Sequence, residues 1–487
     1  MNHEGYDVVL DEKLELFFKN LKDFKKKEYY IPESLKTLLK PYQIEANSWL
    51  NTLANSGFGG ILADDMGLGK TIEMISLLLG DKVEKPSLVV CPMSLVYNWQ
   101  QEILKWNIDI ECVPIIGSQP VRKEIISSIT ENKKVIYISS YDSVRRDIKL
   151  YTQQFRFVIA DEAQYIKNQN AQKSEAIKQI NSEVRFALTG TPIENGLQDM
   201  WNIFDFIAPG YLSNYSSFKN RYENLILNKD NRALKRLRNK LMPFILRRTK
   251  KDVLKELPEK TENIYYTKLN AEEQKLYDAT VLKLKNEVDS TDGAYVLSTL
   301  MRLRQICVDP RMFLTDYKEE SSKLLLCIDI LKKAINGNHK TLIFSQFTSV
   351  FDNLEALLNK EGIKFLKITG KTKAEERIRL VNEFNESNIY VMLISLKAGG
   401  TGLNLQSADT VIHLDPWWNI SVENQATDRV HRIGQKNQVN VIKLVCKNTI
   451  EDKVIELQQI KKNLADSIVD YANSDKLTLK DIKELLN

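Results

Sequence analysis

The sequence predicts an α/β fold of two parallel-sheet units with a helical insertion between them, and three observations predict it. Short β-branched runs alternate with helix-period patterns from about residue 40 to 205, and again from Thr341 to Val445. That alternation is the mark of strand–helix–strand units. Between the two zones, from about 210 to 320, the strand signal fades and long charged helical patterns take over. Finally, the polar segments richest in chemistry each follow a strand pattern, so a parallel sheet would gather them along one edge.

Length and composition set the bounds. At roughly 150 residues per domain, 487 residues make about three units or two large ones. With 43% hydrophobic and 27% charged residues the chain has ample core and is not disordered. Lys and Arg number 69 against 64 Asp and Glu, and a net of +5 excludes a polycation. No apolar run reaches the roughly 20 residues of a membrane span, and the first thirty residues lack a signal-peptide stretch. Five scattered cysteines without a C-x-x-C pair, and four scattered histidines, argue against a disulfide framework or a zinc site. The expectation is an intracellular protein: cytoplasm or nucleoid in a bacterium, nucleus in a eukaryote. Any metal would come with the substrate.

Along the chain, residues 1 to about 35 are charged and helix-like, closed by Pro32, and carry no motif. Strands are expected at Ser87–Cys91, Val135–Ser139, Phe157–Ala160 and Phe186–Leu188, with a further apolar run before the Gly-rich turn at 64–71. The second zone predicts strands at Thr341–Ser345, Lys364–Ile368, Ile389–Ser395, Thr410–Leu414 and Asn440–Val445, then a charged helical tail from Ile450.

The most informative stretch is Ile61-Leu-Ala-Asp-Asp-Met-Gly-Leu-Gly-Lys-Thr71. Gly67 and Gly69 let backbone N–H groups close around phosphate oxygens, Lys70 reaches the β- and γ-phosphates, and Thr71 ligates Mg²⁺. A helix pattern follows at once, so its positive end faces the phosphates. Asp64 stands where the strict pattern has its first glycine. In Phe157-Val-Ile-Ala-Asp-Glu-Ala-Gln164 an apolar strand delivers two carboxylates. Asp161 would hold Mg²⁺ through water and Glu162 would orient the attacking water. Read alone, that segment is a solvated acidic loop; a phosphate loop upstream in the same unit changes the reading. Cys91-Pro-Met-Ser94, Ser139-Ser-Tyr-Asp142 and Leu188-Thr-Gly-Thr-Pro192 also follow strand patterns and join the same edge.

The second unit places Ser345-Gln346, Thr369-Gly-Lys-Thr372, Ser395 to Gly402 and Asp415-Pro-Trp-Trp-Asn419 after its strands, without a second lysine-bearing phosphate loop. One nucleotide per chain, held between the units, is the economical expectation. In Gln425-Ala-Thr-Asp-Arg-Val-His-Arg-Ile-Gly-Gln435, Arg429 and Arg432 are three apart on a helical pattern, hence on one face. Such a pair would stabilise γ-phosphate charge as arginine fingers do; an ion-paired helix face is the commoner fate of the spacing.

In these motifs the chain resembles the Swi/Snf family of superfamily-two helicase-like ATPases, from about residue 36 to 470. The residues that carry the resemblance are Leu39-Lys-Pro-Tyr-Gln43, Asp64–Thr71, Asp161–Gln164, Leu188–Asn195, Leu246-Arg-Arg-Thr-Lys250, Leu303-Arg-Gln-Ile-Cys307, Gly399–Leu405, Asp415–Asn419 and Asp428–Gln435. It implies two RecA-like lobes, P-loop NTPases in plan, that hydrolyse ATP with Mg²⁺ in the interlobe cleft and move along duplex DNA without separating its strands. The expected division is a charged extension at 1–35, lobe 1 at 36–262 with a helical protrusion at about 210–262, a protrusion and linker at 263–320, lobe 2 at 321–465 and a helical tail at 466–487. By resemblance, Gln43 reads the adenine, Asp65, Leu68, Gly400 and Gly402 join the loop residues in holding nucleotide, and Gln164, Thr189 and Thr191 couple nucleotide state to DNA grip. Arg302 and Arg304 would lie in the segment joining the lobes. Gln164 replaces the family's more usual histidine, and Lys40 a frequent arginine, which weakens any bidentate contact there.

For DNA, residues 219–260 hold 14 Lys and Arg against 5 Asp and Glu, a local surplus of nine that leaves the rest of the chain at −4. Such density suits a phosphate backbone, without sequence readout. Lys235, Arg236 and Arg238 also suit a solvated helix; Arg247, Arg248 and Lys250 are the stronger candidates because they lie in a family-like motif. Ser94, Lys371, Thr372, Lys397 and Thr401 sit at strand ends fit to meet phosphates, with Trp417 or Trp418 as a buttress or, equally, as lobe packing. A strand-separating helicase and a scaffold with a dead ATPase are the rivals; intact Lys70, Asp161, Glu162, Arg429 and Arg432 oppose the second. The chain is expected to be a monomeric motor acting on an unidentified protein target on DNA, such as a nucleosome, polymerase or repair complex. No further recognition module is visible.

Overall fold

In the computed structural model the chain forms two compact units, Met1–Lys255 and Glu256–Asn487. The structure describes residues 2–3, 6–7 and 23–467, apart from 107–109, 167–171, 191–196, 229, 255–257, 288–292, 400–402, 404, 419 and 433. The expected tail at 466–487 and most of the expected extension at 1–35 lie outside these; the described parts of that extension are a small antiparallel pairing, a 3₁₀ turn at Phe24–Lys26 and a helix at Glu33–Lys36.

The first unit is built on a seven-stranded sheet. In chain order its strands are β1 (Gly60–Leu62), β2 (Ser87–Cys91), β3 (Cys112–Ile115), β4 (Ile136–Ser140), β5 (Phe155–Asp161), β6 (Ser182–Leu188) and β7 (Ile245–Leu246). They lie in the order β3-β4-β2-β5-β6-β1-β7, all parallel. The runs of β2, β4 and β5 are buried along their whole length, as strands covered on both faces must be. Helix α1 (Pro41–Asn55) starts with proline in its first turn, where the missing N–H costs nothing. Helices α2 (Lys70–Gly80) and α3 (Val96–Trp106) follow β1 and β2. The basic helix α4 (Asn231–Leu241) buries only Ala233, Leu237 and Leu241.

The second unit has six parallel strands: β8 (Lys260–Thr267), β9 (Thr341–Ser345), β10 (Phe365–Ile368), β11 (Val391–Ser395), β12 (Thr410–His413) and β13 (Val439–Cys446), in the order β8-β13-β12-β9-β11-β10. Helices α5 (Gly293–Val308), α6 (Ser322–Asn336), α7 (Ile420–Thr427) and α8 (Ile450–Ser467) pack around it. Leu324, Ile328 and Leu331 of α6 meet Ile343, Leu393, Ile412 and Leu444 of the sheet in one apolar cluster. On another side Phe344, Ile394 and Val411 pack with Leu405, Ala426 and Val430.

Two expectations need correction. The sequence predicts helix throughout 210–320, yet β8 occupies Lys260–Thr267 and pairs in parallel with β13. It therefore lies in the second compact unit, Glu256–Asn487, where the sequence reading carries lobe 1 on to 262. Its run Lys-Thr-Glu-Asn-Ile-Tyr-Tyr-Thr is largely exposed, as an edge strand can be, and so lacks the buried β-branched run that marks a central strand. Arg302 and Arg304, expected in the segment joining the lobes, sit in α5 of the second unit.

Candidate active site

The phosphate loop is the turn from β1 into α2. Gly67 and Gly69 take φ of +88° and +92°, left-handed values that favour glycine. A Cβ on Gly69 would lie 2.5 Å from Gln43 Nε2, so glycine there also lets Gln43 pack against the loop. Gln43 Nε2 donates to Leu68 O at 2.9 Å, and the Tyr42 hydroxyl donates to the same carbonyl at 2.7 Å. Lys70 opens α2, and its ammonium donates to Asp64 O at 2.7 Å. Thr71, the next residue, is half-buried, as are Asp65 and Gly67; Leu68 is buried.

Sheet register brings the rest alongside. Leu62, Leu188 and Asp161 are neighbours on β1, β6 and β5. The chain therefore leaves these three strands side by side into the phosphate loop, Thr189 and Glu162. Asp161 is buried: its Oδ1 accepts from Glu162 N at 2.9 Å and its Oδ2 from the Trp99 indole N–H at 2.8 Å. Burial, and then the charge of Glu162 beside it, push the Asp161 carboxyl up to about 7. Glu162 sits at φ +52°, an uncommon backbone for a non-glycine residue. Gln164 Nε2 donates to Glu162 Oε2 at 2.8 Å, and Thr189 Oγ1 donates to Gln164 Oε1 at 3.4 Å. A polar chain thus runs from the second carboxylate to the end of β6.

Sequence reasoning missed Trp99. It projects from α3, the helix after the Ser94 turn, and is almost wholly buried. The one sequence signal was a tryptophan on the apolar face of a helix that follows a strand.

Several expected contacts fall elsewhere. Arg248 is no free cation for a phosphate backbone: its side chain is 11% exposed and paired with Asp64 and Glu73. Lys250 is buried too, and its N–H donates to Asp65 Oδ2 at 3.0 Å. Both belong to the underside of the phosphate loop. Arg247 between them is exposed and Ser94 half-buried. In the second unit Lys371 is exposed, while Thr372 Oγ1 accepts from Thr369 N at 3.0 Å. Trp417 packs under the Arg304 guanidinium, 5.1 Å from its ring centre, which makes it a packing residue of this unit. Lys397 lies in the short helix Leu396–Gly399. Thr191, Gly400, Thr401 and Gly402 lie outside the described residues.

Arg429 and Arg432 do not share a helix face, because α7 ends at Thr427. The chain then turns tightly, with Arg429 N on Ala426 O and Val430 N on Thr427 O at 3.3 and 3.0 Å. Gln435 holds that turn, donating to Ala408 O at 2.8 Å and Val430 O at 3.3 Å, and Gly434 at φ +99° brings it back.

Residues 42–312 match the SNF2-related domain and 317–434 the helicase conserved C-terminal domain. An ATP-dependent helicase of Mycoplasma genitalium, described as uncharacterized, is 40% identical over 88% of this chain and 42% of its own length. The human SWI/SNF-related matrix-associated actin-dependent regulator of chromatin subfamily A member 1 is 34% identical over 88% of this chain and 43% of its own. The solved SWI2/SNF2 ATPase core of Sulfolobus solfataricus, in complex with dsDNA, is 34% identical over 94% of this chain and 98% of that one, with a TM-score of 0.47. The chain spans about two fifths of the first of these curated relatives. No helix among the described residues is long and apolar enough to cross a membrane. By the domain match over more than half its length, with its lysine-bearing phosphate loop and paired carboxylates, the chain belongs to the SNF2-related family.

Proposed function

We propose that this chain is an ATP-hydrolysing motor that translocates along duplex DNA without separating the strands, and so displaces or remodels proteins bound there. The observation that supports it most is the row at the carboxyl edge of the first sheet: phosphate loop, Thr189 and Glu162 leaving adjacent strands, with Gln164 tying the last two together. The loop glycines and the start of α2 supply N–H groups to phosphate oxygens, and Lys70 trades its loop carbonyls for the β- and γ-phosphates. Gln43 and the loop residues hold the nucleotide. The oxygen donors Thr71 and Asp161 suit a hard cation, and Asp161 is aimed by two N–H donors, so the residues fit Mg²⁺. When bound, that ion neutralises phosphate charge. Glu162 orients and polarises the attacking water. Arg429 and Arg432 act on the γ-phosphate as arginine fingers, a role that does not need a common helix face.

Duplex DNA is the proposed partner, engaged through its backbone by the exposed basic residues of 219–260 and by Arg247, Ser94, Lys371 and Thr372. A Bacillus subtilis relative, 37% identical over 52% of its own length, carries the name "putative ATP-dependent helicase/translocase". The chain works as a monomer inside the cell on a protein target yet to be identified.

The test is ATP turnover with no nucleic acid, single strands, duplex DNA and RNA. Duplex should stimulate most, and Glu162→Gln should lower turnover about a thousand-fold while nucleotide still binds. Turnover indifferent to DNA across a salt titration would remove the translocase reading. Displacement of a third strand from a triplex, without separation of an annealed duplex, distinguishes translocase from helicase.

A further inference from the structure

We infer that Arg248 is a positioning residue of the nucleotide site, a buried fork that locks the phosphate loop onto the strand-and-turn segment Ile245–Val253. The inference rests on the reading of that loop as the ATP site and adds a residue to it. The guanidinium has three partners: Asp64 at the start of the loop, Glu73 in α2 and the Tyr42 carbonyl in α1. Its Nε donates to both Asp64 oxygens at 3.1 and 3.0 Å, one terminal nitrogen bonds Asp64 and Glu73 together, and the other bonds the Tyr42 carbonyl. Asp64 opens the loop, Glu73 lies in the first turn of α2, and the Tyr42 hydroxyl holds Leu68 O beside Gln43. Asp64 and Glu73 are fully buried, so their charge is satisfied inside the protein or nowhere.

The backbone repeats the connection. Ala63 N donates to Leu246 O at 2.7 Å, Asp65 N to Arg248 O at 2.9 Å, and Lys250 N to Asp65 Oδ2 at 3.0 Å. Loop and segment are thus zipped together at alternate residues, Ala63 and Asp65 against Leu246, Arg248 and Lys250. The missing first glycine gains a reason: an aspartate carboxylate at 64 is the anchor the arginine needs. The same segment continues α4 through the Met242–Phe244 turn. The basic helix and the anchor of the phosphate loop thus lie on one continuous stretch of chain.

The experiment uses the full chain, a fluorescent ADP, a labelled duplex, and hydrogen exchange of residues 60–70 without nucleotide. In Arg248→Met the dissociation constant for ADP and the KM for ATP should rise about ten-fold or more, and exchange at Ala63 and Asp65 should quicken. Duplex affinity should stay within about two-fold. Arg248→Lys keeps the charge without the fork and should rescue only part of the loss. Arg247→Ala should show the reverse pattern, weaker duplex binding with ADP binding intact. Should Arg248→Met not fold, Asp64→Asn, which keeps the volume and removes the anchor charge, should show the same ADP loss and faster exchange. Arg248→Met with wild-type ADP binding, or with duplex affinity lost and ADP binding kept, overturns the inference. A wild-type chain that does not bind ADP overturns the ATP reading instead, and loop exchange in Arg248→Met still decides whether the lock exists.

Discussion

Asp161 of the first unit and Asp415 of the second are both buried near the carboxyl end of a strand, and their partners differ in kind. Among the described residues Asp161 is held by two neutral N–H groups, from Trp99 and Glu162. Asp415 accepts from Ser345 Oγ at 2.6 Å and Gln346 N at 3.2 Å, and faces the Arg304 guanidinium at 3.4 Å. Two more buried pairs of the second unit follow the Asp415 pattern. Lys323 on α6 donates to both oxygens of Glu451 on α8 at 2.6 and 2.5 Å, wholly buried, and Lys443 of β13 meets Glu423 of α7 at 2.6 Å. Asp415, Glu451 and Glu423 each carry a counter-ion; Asp161, proposed to hold a metal, is aimed by dipoles and left with affinity for a cation.

Three substitutions would break or sharpen that contrast. The largest effect belongs to Lys323→Met, which leaves Glu451 charged and unpaired and should cost about 3–5 kcal/mol of stability by urea unfolding. The double substitution with Glu451→Leu should recover most of it, with ADP binding unchanged in both. If the single variant is as stable as wild type, the pair is no staple.

A smaller effect concerns His413 on β12, buried, bonded to Thr427 Oγ1 at 3.1 Å and stacked on Phe344. Burial pushes its imidazole down to about 4. The unfolded chain takes up that proton near pH 6.5 and the folded one does not, so stability falls as pH drops from about 6.5 to about 4, by on the order of 3 kcal/mol. His413→Asn should flatten the difference between urea midpoints at pH 7 and pH 5; an unchanged difference would refute the assignment.

The smallest is Trp99→Phe, which keeps the ring and removes the donor to Asp161. It should cost about 1–2 kcal/mol and raise the Mg²⁺ concentration needed for half-maximal nucleotide binding several-fold. Equal Mg²⁺ dependence in the two proteins would show that the indole is packing alone.

What the sequence disclosed and what it hid divide by distance along the chain. The phosphate loop and the Asp161–Glu162 pair were legible because each lies within a dozen residues and follows its own strand. The ion pairs of Arg248 were hidden because its partners Asp64 and Glu73 stand 184 and 175 positions away. Trp99 was invisible for the same reason, 62 positions from Asp161. Arg429 and Arg432 have helical spacing, yet the capture of the Val430 carbonyl by Gln435 accompanies a turn that periodicity cannot see. β7 is two residues long, β3 carries Pro114 at a sheet edge, and β8 is mostly polar and exposed, so none offers the apolar run that marks an inner strand.

The pairing of β8 with β13 has a consequence for synthesis. Among the described residues the first strand of the second sheet hydrogen-bonds only to the last, from Lys260↔Val439 to Thr267↔Cys446. On a ribosome, Ile264, Tyr265 and Tyr266 emerge with their partners on β13 still about 180 residues, or about ten to forty seconds, from synthesis. The first sheet, closed by β7 at Ile245–Leu246, has every strand out before β8 appears. The nascent chain thus carries a finished first unit and an open second one. That interval of unpaired edge is when a chaperone, or a neighbouring nascent chain, has something to bind.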